Sequence, residues 1–267
     1  MFTFTSTELN VLVASLLWPL SRVLGLIATA PLFGNVSVPI QAKIGLGVMF
    51  TLILAPLVPS LPLVDPLSFK GLLILTQQII VGLGMGFVMR IVFAAVEMAG
   101  EIISMTMGLS FATFFDPQSQ GQSTAISQFL ALLITMVFLS INGHLLMLSV
   151  LVDSFITLPI TAAPLGGNMF HELADWGGKI FNAGVQLSLP VIAALLITNI
   201  ALGILTRASP QLNLFGIGFP ITLSVGFIVI ALTLPYLSVP VERLFQDGFE
   251  RMKKISQNHE KIPGKSP

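Results

Sequence analysis

Cysteine is absent from this chain, which excludes disulfide bonds and thiolate metal sites. Charge is scarce, because Asp, Glu, Lys and Arg make up 9% of the 267 residues and the formal net charge is zero. The sequence also lacks a phosphate loop and the HExxH and GxSxG motifs. We therefore expect no enzymatic activity, no cofactor and no bound metal.

Long apolar runs are what the chain has instead. Apolar residues make up 54% of it and the mean hydropathy is +0.94, outside the range of soluble globular domains. A helix needs roughly 20 apolar residues to cross the hydrocarbon core of a membrane. Six uncharged runs reach or approach that length: 23–42, 44–64, 71–89, 117–152, 180–206 and 208–241. The alternation typical of outer-membrane strands is missing. The sequence thus predicts an all-α, polytopic integral membrane protein in contact with lipid, without a nucleic-acid partner.

Basic residues are concentrated after the last apolar run. Six of the twelve Lys and Arg residues lie there: Arg243, Arg251, Lys253, Lys254, Lys261 and Lys265. By the positive-inside rule, residues 241–267 form a cytoplasmic tail, and we expect six spans with both ends inside. This tail and residues 168–180 each place apolar residues on one helical side, which predicts an amphipathic helix in both. The pattern does not distinguish between lipid and protein as the surface each helix contacts.

Proline and glycine interrupt several apolar runs. Pro220 and Pro235 each remove a backbone donor within the run 208–241, so we expect a bent or split helix there. Gly82 and Gly86 stand four residues apart in an apolar segment, which is typical of a close contact between two helices.

Three ionisable residues share one side of the third apolar region, if a single helix runs through it. Arg90, Glu97 and Glu101 then lie within about 40° of one another. Ionisable groups at membrane depth indicate either an ion path or a buried pairing. We favour pairing with neighbouring helices or subunits, or a helix end that lies in water, over a proton or ion relay, because no ladder of further acids or histidines accompanies them.

The stretch between residues 107 and 125 joins two hydrophobic segments. It places Phe111, Phe114 and Phe115 before Asp116-Pro117 and an amide-rich run. Bulky apolar residues on a polar hinge suit a gate, since irregular backbone at membrane depth is tolerated where it lines a cavity. An ordinary loop whose phenylalanines contact the membrane interface is an equal alternative.

The densest cluster of Pro, Gly and amide residues is "RASPQLNLFGIGFP", from Arg207 to Pro220. We interpret it as the tip of a helical hairpin that contacts other subunits. The residues assigned to this tip are Arg207, Pro210, Gln211, Asn213, Gly216, Gly218 and Pro220. The alternative is an interfacial turn with Arg207 extended toward lipid phosphates.

This cluster resembles a signature of the FliR family of flagellar export-gate membrane proteins, whose counterpart in type III secretion is SctT. Residues 22–47, the stretch "FDPQSQGQ" and the basic tail are similar to that family as well. The resemblance implies an inner-membrane protein of the flagellar basal body that assembles with FliP-like and FliQ-like subunits. It would help form and gate the channel for unfolded export substrates.

The resemblance also implies a division of the chain and a plug. A membrane domain, 1–240, would comprise a FliP-like part, 1–152, and a FliQ-like helical hairpin, 153–240, with the tail facing FlhB-like and FlhA-like components. The plug would span Gly108 to Gln122 and contain Gly108, Phe111, Phe114, Phe115, Asp116 and Pro117. The competing hypothesis is a secondary transporter for a small solute or ion, with Glu97 and Glu101 as its coupling site.

Overall fold

The computed structural model describes residues 6–58, 62, 64–109, 124–162, 168–209 and 214–257. Within these ranges the chain forms α-helices and no strand, which confirms the predicted all-α fold class. The helices are α1 (Ser6–Thr29), α2 (Ile40–Leu54), α3 (Phe69–Thr106), α4 (Ala125–Ser140), α5 (Gly143–Thr157), α6 (Asn168–Gly177), α7 (Lys179–Ala208) and α8 (Leu214–Gln257). A short 3₁₀ helix, Ala55–Leu57, follows α2.

Several of these helices are long and apolar enough to cross a membrane. Among the described residues there are 4 such stretches: Ile40–Leu57, Phe69–Thr106, Met169–Ala208 and Gly216–Ser256. There are 5 if α4 and α5 are taken as one span broken at the left-handed Asn142. A shorter apolar helix, Val13–Thr29, is also present among the described residues, so the prediction of a polytopic protein with about six hydrophobic segments is confirmed. Within the run 208–241, the described part from Leu214 onward is one helix, because α8 continues through Pro220, Pro235 and Pro240.

Two compact units interleave along the sequence. Unit 1 comprises residues 1–91, 142–177 and 245–267, and unit 2 comprises residues 92–141 and 178–244. The helices α3 and α8 each contribute one part to either unit. The predicted division into a FliP-like and a FliQ-like part concerns similarity to other proteins and stays a prediction.

In unit 1, α1 and α3 approach each other through glycines. A Cβ added at Gly82 would overlap the carbonyl oxygen of Arg22, and one at Gly86 would lie 2.8 Å from the carbonyl oxygen of Leu26. From the other side, a Cβ at Gly25 would lie 2.8 Å from the carbonyl oxygen of Ile79. The close helix contact predicted at Gly82 and Gly86 is therefore confirmed, because only glycine leaves room for the facing backbone.

The amphipathic helix α6 packs its apolar side on α3 within unit 1. The side chain of Met169 lies against Gly84, and the indole N–H of Trp176 donates to the carbonyl oxygen of Val88 at 3.1 Å. Met169 and Trp176 are buried, whereas Phe170 remains exposed. The surface that this helix contacts is thus largely the protein's own, a choice that the sequence pattern left open.

The last part of α8 is also folded into unit 1. Phe245, Met252 and Ile255 are buried there. Arg251 forms an ion pair with Glu172 of α6, and its guanidinium lies 5.5 Å from the centroid of the Trp176 ring. The apolar side predicted for the tail is therefore used inside the chain as far as Ile255, and the residues beyond Gln257 lie outside the described ranges.

Candidate functional site

The predicted plug begins at the end of α3, in unit 2. Of its residues, Gly108 is described, whereas Phe111, Phe114, Phe115, Asp116 and Pro117 lie outside the described residues. What the structure provides is the geometry of the two flanks, where the chain leaves α3 and where it enters α4.

The flank on the α3 side is a Schellman motif. Gly108 has φ of 86°, and its N–H donates to the carbonyl oxygen of Met105 at 3.1 Å. The N–H of Leu109 donates to the carbonyl oxygen of Ser104, also at 3.1 Å. Both bonds satisfy carbonyls that the helix end would leave without a partner, and the left-handed position favours glycine. The direction in which the chain leaves α3 is therefore set by the backbone.

Helix α8 holds the same flank in place. The hydroxyl of Thr222 donates to the carbonyl oxygen of Met107 at 3.2 Å. The Met107 side chain is fully buried against Gly226, where an added Cβ would lie 2.7 Å from its Cγ and Sδ. Thr222 and Gly226 are four residues apart and so lie on one side of α8. The residue that precedes Gly108 is thus fixed through both its backbone and its side chain.

The flank on the α4 side is held by α3. Thr124 is the N-cap of α4, and its hydroxyl accepts the N–H of Ser127 at 3.3 Å. The N–H of Thr124 donates to Oε1 of Glu101 at 3.0 Å, which places a carboxylate at the positive end of the α4 dipole. The Ser127 hydroxyl donates to the carbonyl oxygen of Glu97 at 3.0 Å, and Gly100 lets the backbones meet there. Both ends of the predicted plug are therefore anchored within unit 2.

The three charged residues predicted to pair do not share one environment. Arg90 is exposed and belongs to unit 1, whereas Glu97 and Glu101 are half-buried in unit 2. Glu101 binds the Thr124 amide, and within the described residues the Glu97 carboxylate makes no hydrogen bond or ion pair. Pairing of these residues with other helices or subunits stays a prediction.

The predicted hairpin tip lies where α7 ends and α8 begins. The described chain leaves α7 at Ala208, where the N–H of Ser209 donates to the carbonyl oxygen of Leu205 at 2.9 Å, and α8 starts at Leu214. Arg207 is exposed in the last turn of α7. Gly216, Gly218 and Pro220 lie in the first two turns of α8, and Gly218 is buried. Pro210, Gln211 and Asn213 are outside the described residues, and the subunit contacts assigned to this tip stay a prediction.

Sequence reasoning missed a fully buried arginine in unit 1. Arg22 of α1 has no exposed surface. Its Nε donates to Oε1 of Gln78 at 2.8 Å, and Nη2 donates to the carbonyl oxygen of Leu158 at 2.9 Å. Its Nη1 donates to the carbonyl oxygen of Ser154 at 2.7 Å and to the Ser154 hydroxyl at 3.0 Å. The guanidinium also lies 4.3 Å from the ring centroid of Phe155. One side chain thus joins α1, α3 and the end of α5.

The chemistry of this contact is that of a helix cap. The carbonyl groups of Ser154 and Leu158 lie at the C-terminal end of α5, where intrahelical partners run out and the helix dipole is negative. A planar guanidinium can donate hydrogen bonds to several such oxygens at once. A signal was present in the sequence, because Arg22 interrupts an otherwise uncharged stretch from residue 9 to residue 42. Its uncharged acceptors, 56 to 136 residues away along the chain, carried no signal.

Metal chemistry finds no support in the part of the chain that the structure describes. No group of three or more His, Asp or Glu residues there could hold a metal ion. Within the described ranges, the buried Nδ1 of His144 has no hydrogen-bond partner.

Known proteins similar to the chain cover nearly all of it. The family model described as "Bacterial export proteins, family 1" matches residues 13–248. The flagellar biosynthetic protein FliR of Pectobacterium carotovorum subsp. carotovorum is 44% identical over 255 residues, which are 96% of this chain and 97% of that protein. FliR of Escherichia coli K12 is 46% identical over 238 residues, 89% of this chain and 91% of its own. FliR of Bacillus subtilis is 32% identical over 239 residues, which are 88% of this chain and 91% of that protein.

Both kinds of similarity extend through the elements described above. The family model includes most of α1 and ends within α8, so it contains Arg22, the two flanks of the predicted plug and the α7–α8 connection. The identity to relatives from distant bacteria is too high and too extended to reflect shared hydrophobicity alone. The chain belongs to the FliR family of bacterial export proteins.

Proposed function

We propose that the chain is a subunit of the flagellar type III protein export gate in the bacterial inner membrane, at the basal body. With FliP-like and FliQ-like subunits it forms and gates the channel through which unfolded flagellar substrates leave the cytoplasm. The observation that carries this proposal is the match to the export family over residues 13–248. The several apolar helices support a location within a membrane.

The tail supplies the contact with the cytoplasmic side in this proposal. Residues 241–267 carry half of the basic residues of the chain, and Lys253 and Lys254 are exposed on the last turns of α8. These residues face FlhB-like and FlhA-like components, while the apolar side of the helix is used inside unit 1. The FliP-like part, 1–152, and the FliQ-like part, 153–240, each contribute to the channel wall.

The plug in this proposal is the segment from Gly108 to Gln122. Phe111, Phe114 and Phe115 close the channel while no substrate passes. Support comes from the flanks, since Met107 and Thr124 are each held by hydrogen bonds to neighbouring helices. Anchored ends fix the points from which the segment starts and to which it returns, as a channel constriction requires.

A transporter with Glu97 and Glu101 as coupling site gains no specific support. The carboxylate of Glu101 already binds the N-cap amide of α4, a contact that accounts for its half-buried position. The Glu97 side chain lies one turn away on the same helix and forms no pair with it among the described residues.

Purification distinguishes the export gate from a transporter. A tagged chain produced together with the other membrane subunits of its own system and extracted in mild detergent should migrate as a large complex. Mass spectrometry should then identify FliP-like and FliQ-like subunits in that complex. Recovery of the chain alone, as a monodisperse monomer or dimer, would contradict the proposed function.

A leak assay tests the plug separately. Replacing Phe111, Phe114 and Phe115 together by alanine should raise ion leakage through the assembled gate, because the constriction loses three rings. Phe129→Ala is a matched control, since this phenylalanine is exposed on α4. Conductance equal to that of the unmodified complex would remove the plug assignment and leave the subunit assignment standing.

A further inference from the structure

A groove runs between α4 and α8 in unit 2. Its sides come from α4 between Leu130 and Val137 and from α8 between Leu234 and Val241, and Val96 of α3 lies at its floor. All of these residues belong to unit 2. Val96, Leu130 and Val241 are buried, whereas Val137 and Leu234 are half-buried. The groove therefore has a closed floor and an open mouth.

Prolines mark the α8 side of this groove. Pro235 and Pro240 lie inside the helix, and both fall between Leu234 and Val241. Each proline removes one hydrogen bond of the helical ladder, and proline is a common cause of a local bend. The sequence thus weakens α8 where it runs beside α4, which gives a physical reason for the gap between the two helices.

The lining of the groove has no charge and no free hydrogen-bond donor. Ser238 is the one polar side chain among the described residues that line it, and its hydroxyl donates to the carbonyl oxygen of Pro235 at 3.3 Å. Both sides of the groove fall within uncharged runs, 117–152 and 208–241. A ligand recognised by charge has no partner here, so the groove suits a hydrocarbon group.

The groove is too small for a helix to enter. With its open mouth included it holds about 410 Å³. One turn of a helix, 5.4 Å long and 10–12 Å across with side chains, occupies about 420–610 Å³. If a methylene group takes about the 30 Å³ of a water molecule, the groove has room for roughly a dozen of them.

The length of the groove agrees with its volume. The stretches from Leu130 to Val137 and from Leu234 to Val241 each extend about 10 Å along their helix. The hydrocarbon of one leaflet is about 15 Å thick, half of the bilayer core. A single acyl chain is therefore narrow enough and long enough to fill the groove.

We propose that this groove binds one acyl chain of a membrane phospholipid. The chain lies between α4 and α8, in contact with Leu133 and Leu237, and the headgroup stays outside because the lining has no group to bind it. An empty groove would leave its lining without dispersion contacts, which the acyl chain restores. The inference does not rest on the proposed function, since it requires only that these helices lie in a membrane.

Retention of lipid through purification tests the site. Membranes that contain the full chain with the other subunits of its system are supplied with a phosphatidylethanolamine that carries a diazirine in one acyl chain. The protein is purified in mild detergent before illumination, so that only lipid that has stayed bound is crosslinked. Mass spectrometry should find the label on peptides that contain residues 130–137 or 234–241. A label confined to other peptides, or no label, would overturn the inference.

Four leucine-to-tryptophan variants locate the lipid. Leu133→Trp and Leu237→Trp place an indole in the groove and should lose the label, because the ring occupies the space of the acyl chain. Leu132→Trp and Leu232→Trp are the matched controls, since both leucines are exposed and point about 100° and 140° away from their groove counterparts. The controls should keep the label at equal recovery of purified chain. Equal labelling of all four variants would contradict the groove as the site.

A crosslinker within the chain gives an independent measurement. A benzophenone side chain in place of Leu234, at the mouth of the groove, should attach to phospholipid in the membrane. Attachment to a protein subunit instead would overturn the inference, because a side chain of that subunit would then fill the groove. That result would leave the proposed function standing, whereas recovery of the chain alone would contradict the proposed function and leave a lipid adduct unaffected.

Discussion

Arg22→Met isolates the energetic contribution of the buried guanidinium. Methionine fills a similar volume, so the substitution removes the hydrogen bonds without opening a large cavity. It leaves the Gln78 amide oxygen and the Leu158 carbonyl oxygen without the donors that they have now. An unsatisfied buried acceptor costs about 1–3 kcal/mol, so two of them predict a loss of about 4 kcal/mol in the free energy of unfolding.

The two tryptophans provide the assay. Trp18 and Trp176 are the only tryptophans in the chain, both are buried, and both belong to unit 1. Their fluorescence during heating in mild detergent therefore reports on the unit that contains Arg22. With a shift of about 2–4 °C per kcal/mol, the value for soluble chains of comparable length, Arg22→Met should lower the Tm by about 8–16 °C.

Two further variants control this measurement. Arg22→Lys keeps the charge but not the planar fork, and should lose about 2 kcal/mol because an ammonium cannot serve all the acceptors. Arg90→Met removes an exposed arginine and should change the stability by less than about 0.5 kcal/mol. An Arg22→Met variant as stable as the unmodified chain would show that the hydrogen bonds at the α5 end contribute nothing net, and would refute the reasoning.

The remaining predictions concern two glycines. Gly82→Leu should destabilise unit 1 by about 3 kcal/mol or more, because its side chain would overlap the Arg22 backbone, whereas Gly45→Leu on α2 should be tolerated. Thermal unfolding followed by tryptophan fluorescence compares the two, and equal losses would contradict the close α1–α3 contact. Gly108→Ala should cost about 1–2 kcal/mol through its left-handed backbone, and should also raise the rate of proteolytic cleavage between α3 and α4. An unchanged cleavage rate would show that the Schellman motif does not restrain the segment that follows it.

Hydrophobicity and small-residue spacing made the helical fold predictable. The uncharged runs identified the membrane-compatible segments, and the spacing of Gly82 and Gly86 correctly indicated where two helices meet. The apolar periodicity of residues 168–180 identified α6 but not its partner. Val88, which accepts the Trp176 indole, is 88 residues away along the chain, and local periodicity carries no information on such a pairing.

The surroundings of the candidate site residues were harder to predict from the sequence, for the same reason. Glu101 was recognised as unusual because charge is rare in this chain, yet its bond to the Thr124 amide depends on how α3 meets α4. Proline positions left open whether the helix in the run 208–241 is bent or split, and α8 stays continuous through three prolines, which removes only a split at these prolines. Membrane helices tolerate proline because hydroxyl side chains and neighbouring helices can satisfy the freed backbone groups.

The interleaving of the two units sets an order in which the chain can be completed during synthesis. All of unit 2 precedes residue 245, whereas unit 1 needs residues 245–257 of α8 to cover α6. Residues 1–91 of unit 1 therefore leave the ribosome first, and unit 1 can be completed only after residues 245–257 have been translated. Until then Trp176 lacks the guanidinium of Arg251 beside its ring. The first unit of this chain to begin is thus completed only when its last residues have been translated, and loss of the part of α8 after residue 244 is a defect of unit 1.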